Sequence, residues 1–127
     1  MKKVLILGVT GQDGSYLSEI LLEQGYEVHG LLRKSATGNT KNIDHLLNSD
    51  FFKEGRFNIH KGDLTDSASI FRTINEIEPE FIYNEADQDH VSWSYQIPSY
   101  SFSTTTTAVI NILESIKTIN PNIKYYK

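Results

Sequence analysis

Three glycines recur at a fixed interval near the start of the chain. Gly8-Val9-Thr10-Gly11-Gln12-Asp13-Gly14 has the spacing GxxGxxG. Each glycine in such a turn has a separate physical use. The first permits a tight turn off a strand, the second removes a Cβ where backbone must approach a pyrophosphate, and the third lets the following helix pack closely. Free N–H groups and the helix dipole then favour an anion at the helix start. The spacing differs from the commoner GxGxxG, so its meaning depends on a strand before it and a helix after it. The apolar run Val4-Leu5-Ile6-Leu7 precedes it, and Leu17, Ile20, Leu21 and Leu22 follow at helical spacing. A purely structural glycine turn is the alternative.

A second chemical position lies at the end of the next apolar segment. A carboxylate there binds the ribose hydroxyls of NAD, whereas an arginine accommodates the 2′-phosphate of NADP. This chain reads Leu31-Leu32-Arg33-Lys34-Ser35-Ala36, with two cations and a hydroxyl and no acid. A guanidinium forms paired charge-assisted bonds to phosphate and stacks on adenine, so the residues favour NADP over a solvated surface pair. Asp63, in Gly62-Asp63-Leu64, can bring a carboxylate to the adenine amino group or serve only as a turn residue.

Other reactive types carry less. His29, His45, His60 and His90 form no HxxxH pair, so no metal site is expected, and His29 and His60 read as packing or surface residues. Ser92 and Ser94 have no orienting base nearby in sequence. Trp93 and Tyr95 can form a stacking surface or simply lie buried under a loop.

The elements that must position these groups alternate between two hydrophobic periods. Strands are expected at 4–7, 26–32, 56–61, 81–83 and 123–126. Between them the spacing predicts a helix over 15–24 stopped by Gly25, and a short helix around Leu46-Leu47. A helix over 67–77 should be capped by Asp66, with Ile70, Phe71, Ile74 and Ile77 inward. A long helix after Pro98 should turn Val109, Ile112, Leu113 and Ile116 inward. Thr104 to Thr107 are poor helix formers and leave its start open between ordinary and frayed. Strand and helix alternating five times predicts an α/β, doubly wound parallel sheet of Rossmann type, strand order 3-2-1-4-5. The sheet is expected to be incomplete at its C-terminal edge.

Composition sets the bounds. The 127 residues suit one domain, and 12 Lys and Arg against 16 Asp and Glu give a formal charge of −4. A mildly acidic chain without a basic run argues against nucleic acid or an anionic membrane as partner. With no cysteine there are no disulfides and no thiolate metal sites. No apolar run approaches a membrane span, and a cytoplasmic location is expected.

The segments "GVTGQDGSYL", "GYEVHG", "RKS", "GDLTD", "IYN" and "QDHV" together resemble the N-terminal part of the GDP-mannose 4,6-dehydratase family. That family belongs to the extended short-chain dehydrogenase/reductase superfamily. The resemblance runs from about Val4 to Lys127 and is most specific from Gly8 to Gly30. It implies a lyase more than twice this length, a homo-oligomer in nucleotide-sugar metabolism. Such an enzyme uses tightly held NADP to oxidise the sugar at C4, eliminates water across C5–C6 and returns the hydride at C6. GDP-mannose thus becomes GDP-4-keto-6-deoxymannose.

Carried over residue by residue, the family's phosphate loop falls on Gly8, Val9, Thr10, Gly11, Gln12, Asp13 and Gly14. Its 2′-phosphate site falls on Arg33, Lys34, Ser35 and Ala36, and its adenine contact on Asp63 and Leu64. The cofactor stretch after the fourth strand falls on Glu85, Ala86, Asp87, Gln88 and Asp89, and a family tyrosine near the cofactor on Tyr100. Two departures stand out. Glu85, Asp87 and Asp89 replace apolar, small or hydroxyl residues, and acids beside a pyrophosphate repel it by about 1 kcal/mol each when solvated. Residues 102–109 replace the family's "ADVDGxGT". These departures keep a related sugar-nucleotide epimerase or dehydratase open as the alternative.

The resemblance also places the family's Ser/Thr-x-Ser-Glu segment and Tyr-x-x-x-Lys pair beyond "IKYYK", and the sugar-nucleotide domain after them. No tyrosine in the chain has a lysine four residues later. Residues 1–127 are therefore expected to form the NADP-binding portion without catalytic residues, inactive alone. A non-catalytic dinucleotide-binding module is the remaining alternative.

Overall fold

The computed structural model describes residues 1–32, 40–64, 66–86 and 98–127, with side chains described outside 98–105. Five parallel strands form one sheet: β1 (Lys3–Leu7), β2 (Glu27–Leu32), β3 (Phe57–Lys61), β4 (Phe81–Asn84) and β5 (Lys124–Tyr126). Their order is β3-β2-β1-β4-β5, the doubly wound Rossmann-type order expected from the alternating pattern. Helix α1 (Gln12–Glu23) follows β1, and α2 (Asp44–Leu47) and α3 (Asp50–Lys53) precede β3. Helix α4 (Ser67–Ile77) leads to β4, and α5 (Pro98–Ile119) to β5. The threonine run thus lies inside a continuous helix.

Strand β1 is central because it is apolar on both faces. Leu5 and Leu7 point into one core with Ile70, Ile74 and Ile77 of α4 and Ile112 and Ile116 of α5. Val4 and Ile6 point into the other, with Leu21 and Leu22 of α1, Val28, Leu46 and Phe57. Alternation with period two sends successive side chains to opposite layers.

The helix ends follow local chemistry. Asp66 accepts from the Ala68 N–H at 3.1 Å and caps α4, while Glu78 ends it at φ 51° before Pro79. Gly25 at φ 93° turns the chain off the end of α1. There Arg56 donates to the Leu22 carbonyl at 2.6 Å, a cation at the negative helix end.

Helix faces depart from the expected ones. Ile20, Phe71 and Leu113 are exposed, whereas Ser15, Ser18, Ser69, Thr73 and Ser115 are buried. Ser18 and Thr73 donate to carbonyls four residues back, at 2.8 and 2.9 Å. Their hydroxyls are thus satisfied locally, and the small side chains let α1 and α4 lie close to the sheet.

Candidate functional site

The glycine turn joins the C-terminal end of β1 to α1. The helix begins at Gln12, three residues before the expected start, so Gln12, Asp13 and Gly14 form its first turn. Gly11 occupies the N-cap with extended backbone and offers no side chain to cap it. First-turn N–H groups have no partner within a helix, so this end presents donors and a positive dipole outward.

Two glycines are required by contact. Gly8 has φ 82°, and a Cβ on it would come within 2.7 Å of the Glu85 carbonyl and the Ala86 nitrogen. A Cβ on Gly14 would lie 2.2 Å from the Gly8 carbonyl oxygen. Gly11 is different, because its nearest neighbour would be Gly8 O at an ordinary 3.4 Å. Space at Gly11 is thus left open on the outer side of the turn. The turn also closes on itself, Gly11 N–H donating to Gly8 O at 3.1 Å.

Neighbouring segments hold the turn in place. Asn42 donates to the Thr10 carbonyl at 2.9 Å, tying the segment after 33–39 to the turn. Val9 is fully buried against β2, where Gly30 leaves room for its methyl groups. On the other flank, Glu85 N–H donates to the Leu7 carbonyl at 2.8 Å. The β4 exit therefore runs directly beside Gly8. The chain winds one way from β1 to β3 and then crosses to β4. The crevice between β1 and β4 is the topological switch point, where doubly wound sheets bind ligands.

Asp63 and Leu64 lie past the end of β3, on the same end of the sheet. Asp63 N–H donates to buried Ser69 at 3.1 Å, and the Leu64 carbonyl accepts from Asn111 of α5 at 3.2 Å. Leu64 and Ala86 pack against the same core cluster. The structure thus gathers 8–14, 63–64 and 85–86 at the strand ends. Arg33, Lys34, Ser35, Ala36, Asp87, Gln88 and Asp89 lie outside the described residues, as do His90, Trp93 and Tyr95. Tyr100 sits in α5, where only the backbone is described.

Sequence reading overlooked three contacts. Asn84, Asn42 and the His29–His60 pair join residues 31 to 41 positions apart. Asn84 and Asn42 are short amides of the kind that turns favour, but no local pattern names the partner in any of the three. Among the described residues no group of three His, Asp or Glu side chains could hold a metal ion. Tyr83 stacks on Tyr126 with centroids 5.0 Å apart, and burial, with Tyr126 and Tyr26 nearby, pushes its hydroxyl pKa up. That is the wrong direction for a tyrosine exchanging protons near neutral pH. No helix among the described residues is long and apolar enough to cross a membrane.

Comparison with known proteins places these features. The family model described as GDP-mannose 4,6 dehydratase matches residues 5–127. A GDP-mannose 4,6-dehydratase of Yersinia enterocolitica is 44% identical over 117 residues, covering 92% of this chain and 32% of that protein. The Homo sapiens GDP-mannose 4,6 dehydratase is 45% identical over 127 residues, covering 97% of this chain and 34% of its own length. The chain therefore spans about a third of the length of the curated relatives it matches. Among solved structures, the UDP-glucose 4-epimerase of Thermus thermophilus in complex with NAD is 28% identical with a TM-score of 0.73. That match covers 92% of this chain and 34% of the epimerase.

Proposed function

The chain belongs to the GDP-mannose 4,6-dehydratase family, and from that premise we propose that it is the NADP-binding part of an enzyme converting GDP-mannose to GDP-4-keto-6-deoxymannose. The observation that carries this reading is the Gly8–Gly14 cradle, pressed against Glu85–Ala86 at the switch point. A Cβ at either glycine would strike backbone, while the uncapped start of α1 faces outward. These features suit a pyrophosphate.

In this reading Val9, Thr10, Gly11, Gln12 and Asp13 hold the pyrophosphate with backbone and first-turn donors. Arg33, Lys34, Ser35 and Ala36 hold the 2′-phosphate, Asp63 and Leu64 the adenine. The 85–89 segment and Tyr100 flank the remaining cofactor. Bound NADP supplies reversible hydride exchange. This chain's residues bind and orient it, and Glu85, Asp87 and Asp89 weaken its hold. Proton transfer to the sugar belongs to residues outside 1–127. The whole protein is proposed as a cytoplasmic homo-oligomer with a second, sugar-nucleotide domain.

The test is turnover of GDP-mannose by the full-length protein supplied with NADP⁺ or NAD⁺, with products identified by NMR. A 4-keto-6-deoxy sugar formed with NADP⁺ supports the proposal. The three acids and the likeness to an epimerase favour a second reading, sugar-nucleotide epimerisation. A product inverted at C4 with its C6 hydroxyl intact would select that reading instead.

A further inference from the structure

Asn84 is the last residue of β4, paired in register with Leu7, and is almost fully buried. Its Oδ1 accepts from the Ala86 N–H at 3.1 Å, and its Nδ2 donates to the Tyr125 hydroxyl at 2.9 Å. The assignment of the amide is forced, because a backbone N–H can only donate. The peptide held this way, Glu85–Ala86, is the one whose atoms would lie 2.7 Å from a Cβ on Gly8. A hydrogen-bonded line thus runs from Tyr125 on β5 through Asn84 to the backbone on which Gly8 rests.

We infer that Asn84 is a positioning residue for the dinucleotide, fixing the β4 exit as the backstop of the pyrophosphate turn, with Tyr125 fixing Asn84. The inference rests on the dinucleotide reading of that turn. The reason is geometric. A hydrogen-bond donor misplaced by an ångström loses most of its value to a phosphate, and Gly8 has no side chain with which to hold its own position. Without the Asn84 amide the Ala86 N–H is left without this acceptor, and the peptide is free to tilt away from Gly8.

The experiment compares wild type, Asn84→Leu and Tyr125→Phe in the full-length protein. Affinity is measured for NADPH, NADH and adenosine 2′-phosphate, which carries the base and 2′-phosphate but no pyrophosphate. Thermal unfolding without ligand is followed alongside. Asn84→Leu should weaken NADPH binding about tenfold and Tyr125→Phe about threefold, while adenosine 2′-phosphate binds each variant as it binds wild type. Unchanged NADPH affinity in both variants overturns the inference. Equal weakening of NADPH and adenosine 2′-phosphate together with a lower melting temperature also overturns it, making Asn84 a fold residue only. If Asn84→Leu does not fold, Tyr125→Phe decides by the same comparison. Wild type that binds no dinucleotide overturns the functional reading and this inference with it. Wild type that prefers NADH overturns only the choice of NADP, and the variants are then compared on NADH against adenosine.

Discussion

His29 Nδ1 and His60 Nε2 face each other at 2.9 Å across β2 and β3, with Glu27 on the far nitrogen of His29 at 2.6 Å. The ring centroids are 5.1 Å apart, close to the N···N distance plus about 1.1 Å for each ring, so the nitrogens meet head-on in hydrogen-bond geometry. Two facing nitrogens can hold one proton between them. With the carboxylate accepting from His29 Nε2–H, His29 Nδ1 is the acceptor and His60 the donor. Protonating both rings fully sets two N–H donors against each other.

This arrangement predicts a pH dependence. Burial lowers the His60 pKa below 6.5 and His29 adds to the effect, while Glu76 of α4 opposes it. A histidine whose folded pKa is depressed favours the fold when neutral. Its contribution is whole above the unfolded value of about 6.5 and is lost as pH falls toward and through the folded value. Thermal unfolding of the full-length protein should therefore show stability declining below about pH 6.5. His60→Gln should reduce that slope, and an unchanged slope would count against the pair as its source.

The two kinds of glycine in the turn predict opposite behaviour. Gly14→Ala puts a methyl group 2.2 Å from the Gly8 carbonyl and should cost about 1–3 kcal/mol of stability through overpacking. Gly11→Ala meets only an ordinary contact at 3.4 Å and should fold normally. If pyrophosphate lies over Gly11, the added methyl group will still weaken NADPH binding. Melting curves and NADPH titrations of both variants separate the cases, and a Gly11→Ala protein with intact NADPH affinity would move the phosphate off this turn.

Cofactor choice is tested at Arg33, which directly follows the last residue of β2. If Arg33 holds a 2′-phosphate, removing the guanidinium takes away charge-assisted bonds worth about 1.5–3 kcal/mol, or roughly ten- to hundredfold in affinity. Arg33→Ala should raise the Kd for NADPH by that factor and leave NADH nearly unchanged. Equal weakening of both would assign Arg33 to something other than a 2′-phosphate.

What the sequence revealed divides along physical lines. Gly8 and Gly25 announce themselves because positive φ suits glycine, and Asp66 because a short acid before a helix caps it. Strand order followed from alternation and handedness. Helix faces were less legible. Apolar Ile20, Phe71 and Leu113 lie outside, while Ser18 and Thr73 lie inside by returning their hydroxyls to their own helices. Periodicity of hydrophobicity alone cannot see that. Contacts such as His29–His60 and Asn84–Tyr125 depend on strand register, which joins residues 31 and 41 positions apart. No local pattern marks them.

Val9 and Gly30 provide the most direct test that core packing sets the geometry of the turn. A Cβ on Gly30 would fall 2.6–2.8 Å from Val9 Cγ1, Cβ and Cγ2, and Val9 is fully buried with no solvent to yield into. Gly30→Ala should therefore cost about 1–3 kcal/mol by overpacking. Val9→Ala should cost a comparable amount by leaving a cavity. Together the two changes exchange space. The new methyl enters the volume left by the lost Cγ atoms, although the Cβ of residue 9 still crowds it. The double variant should be less destabilised than the sum of the single ones by about 1 kcal/mol, measured by denaturant unfolding of the full-length protein. Simple additivity would mean that strand and turn do not press on each other. A positive result would tie the position of the glycine turn to a glycine on the neighbouring strand. It would also explain why Gly30, on the neighbouring strand and packed against Val9, belongs to the same working unit as Gly8 and Gly14.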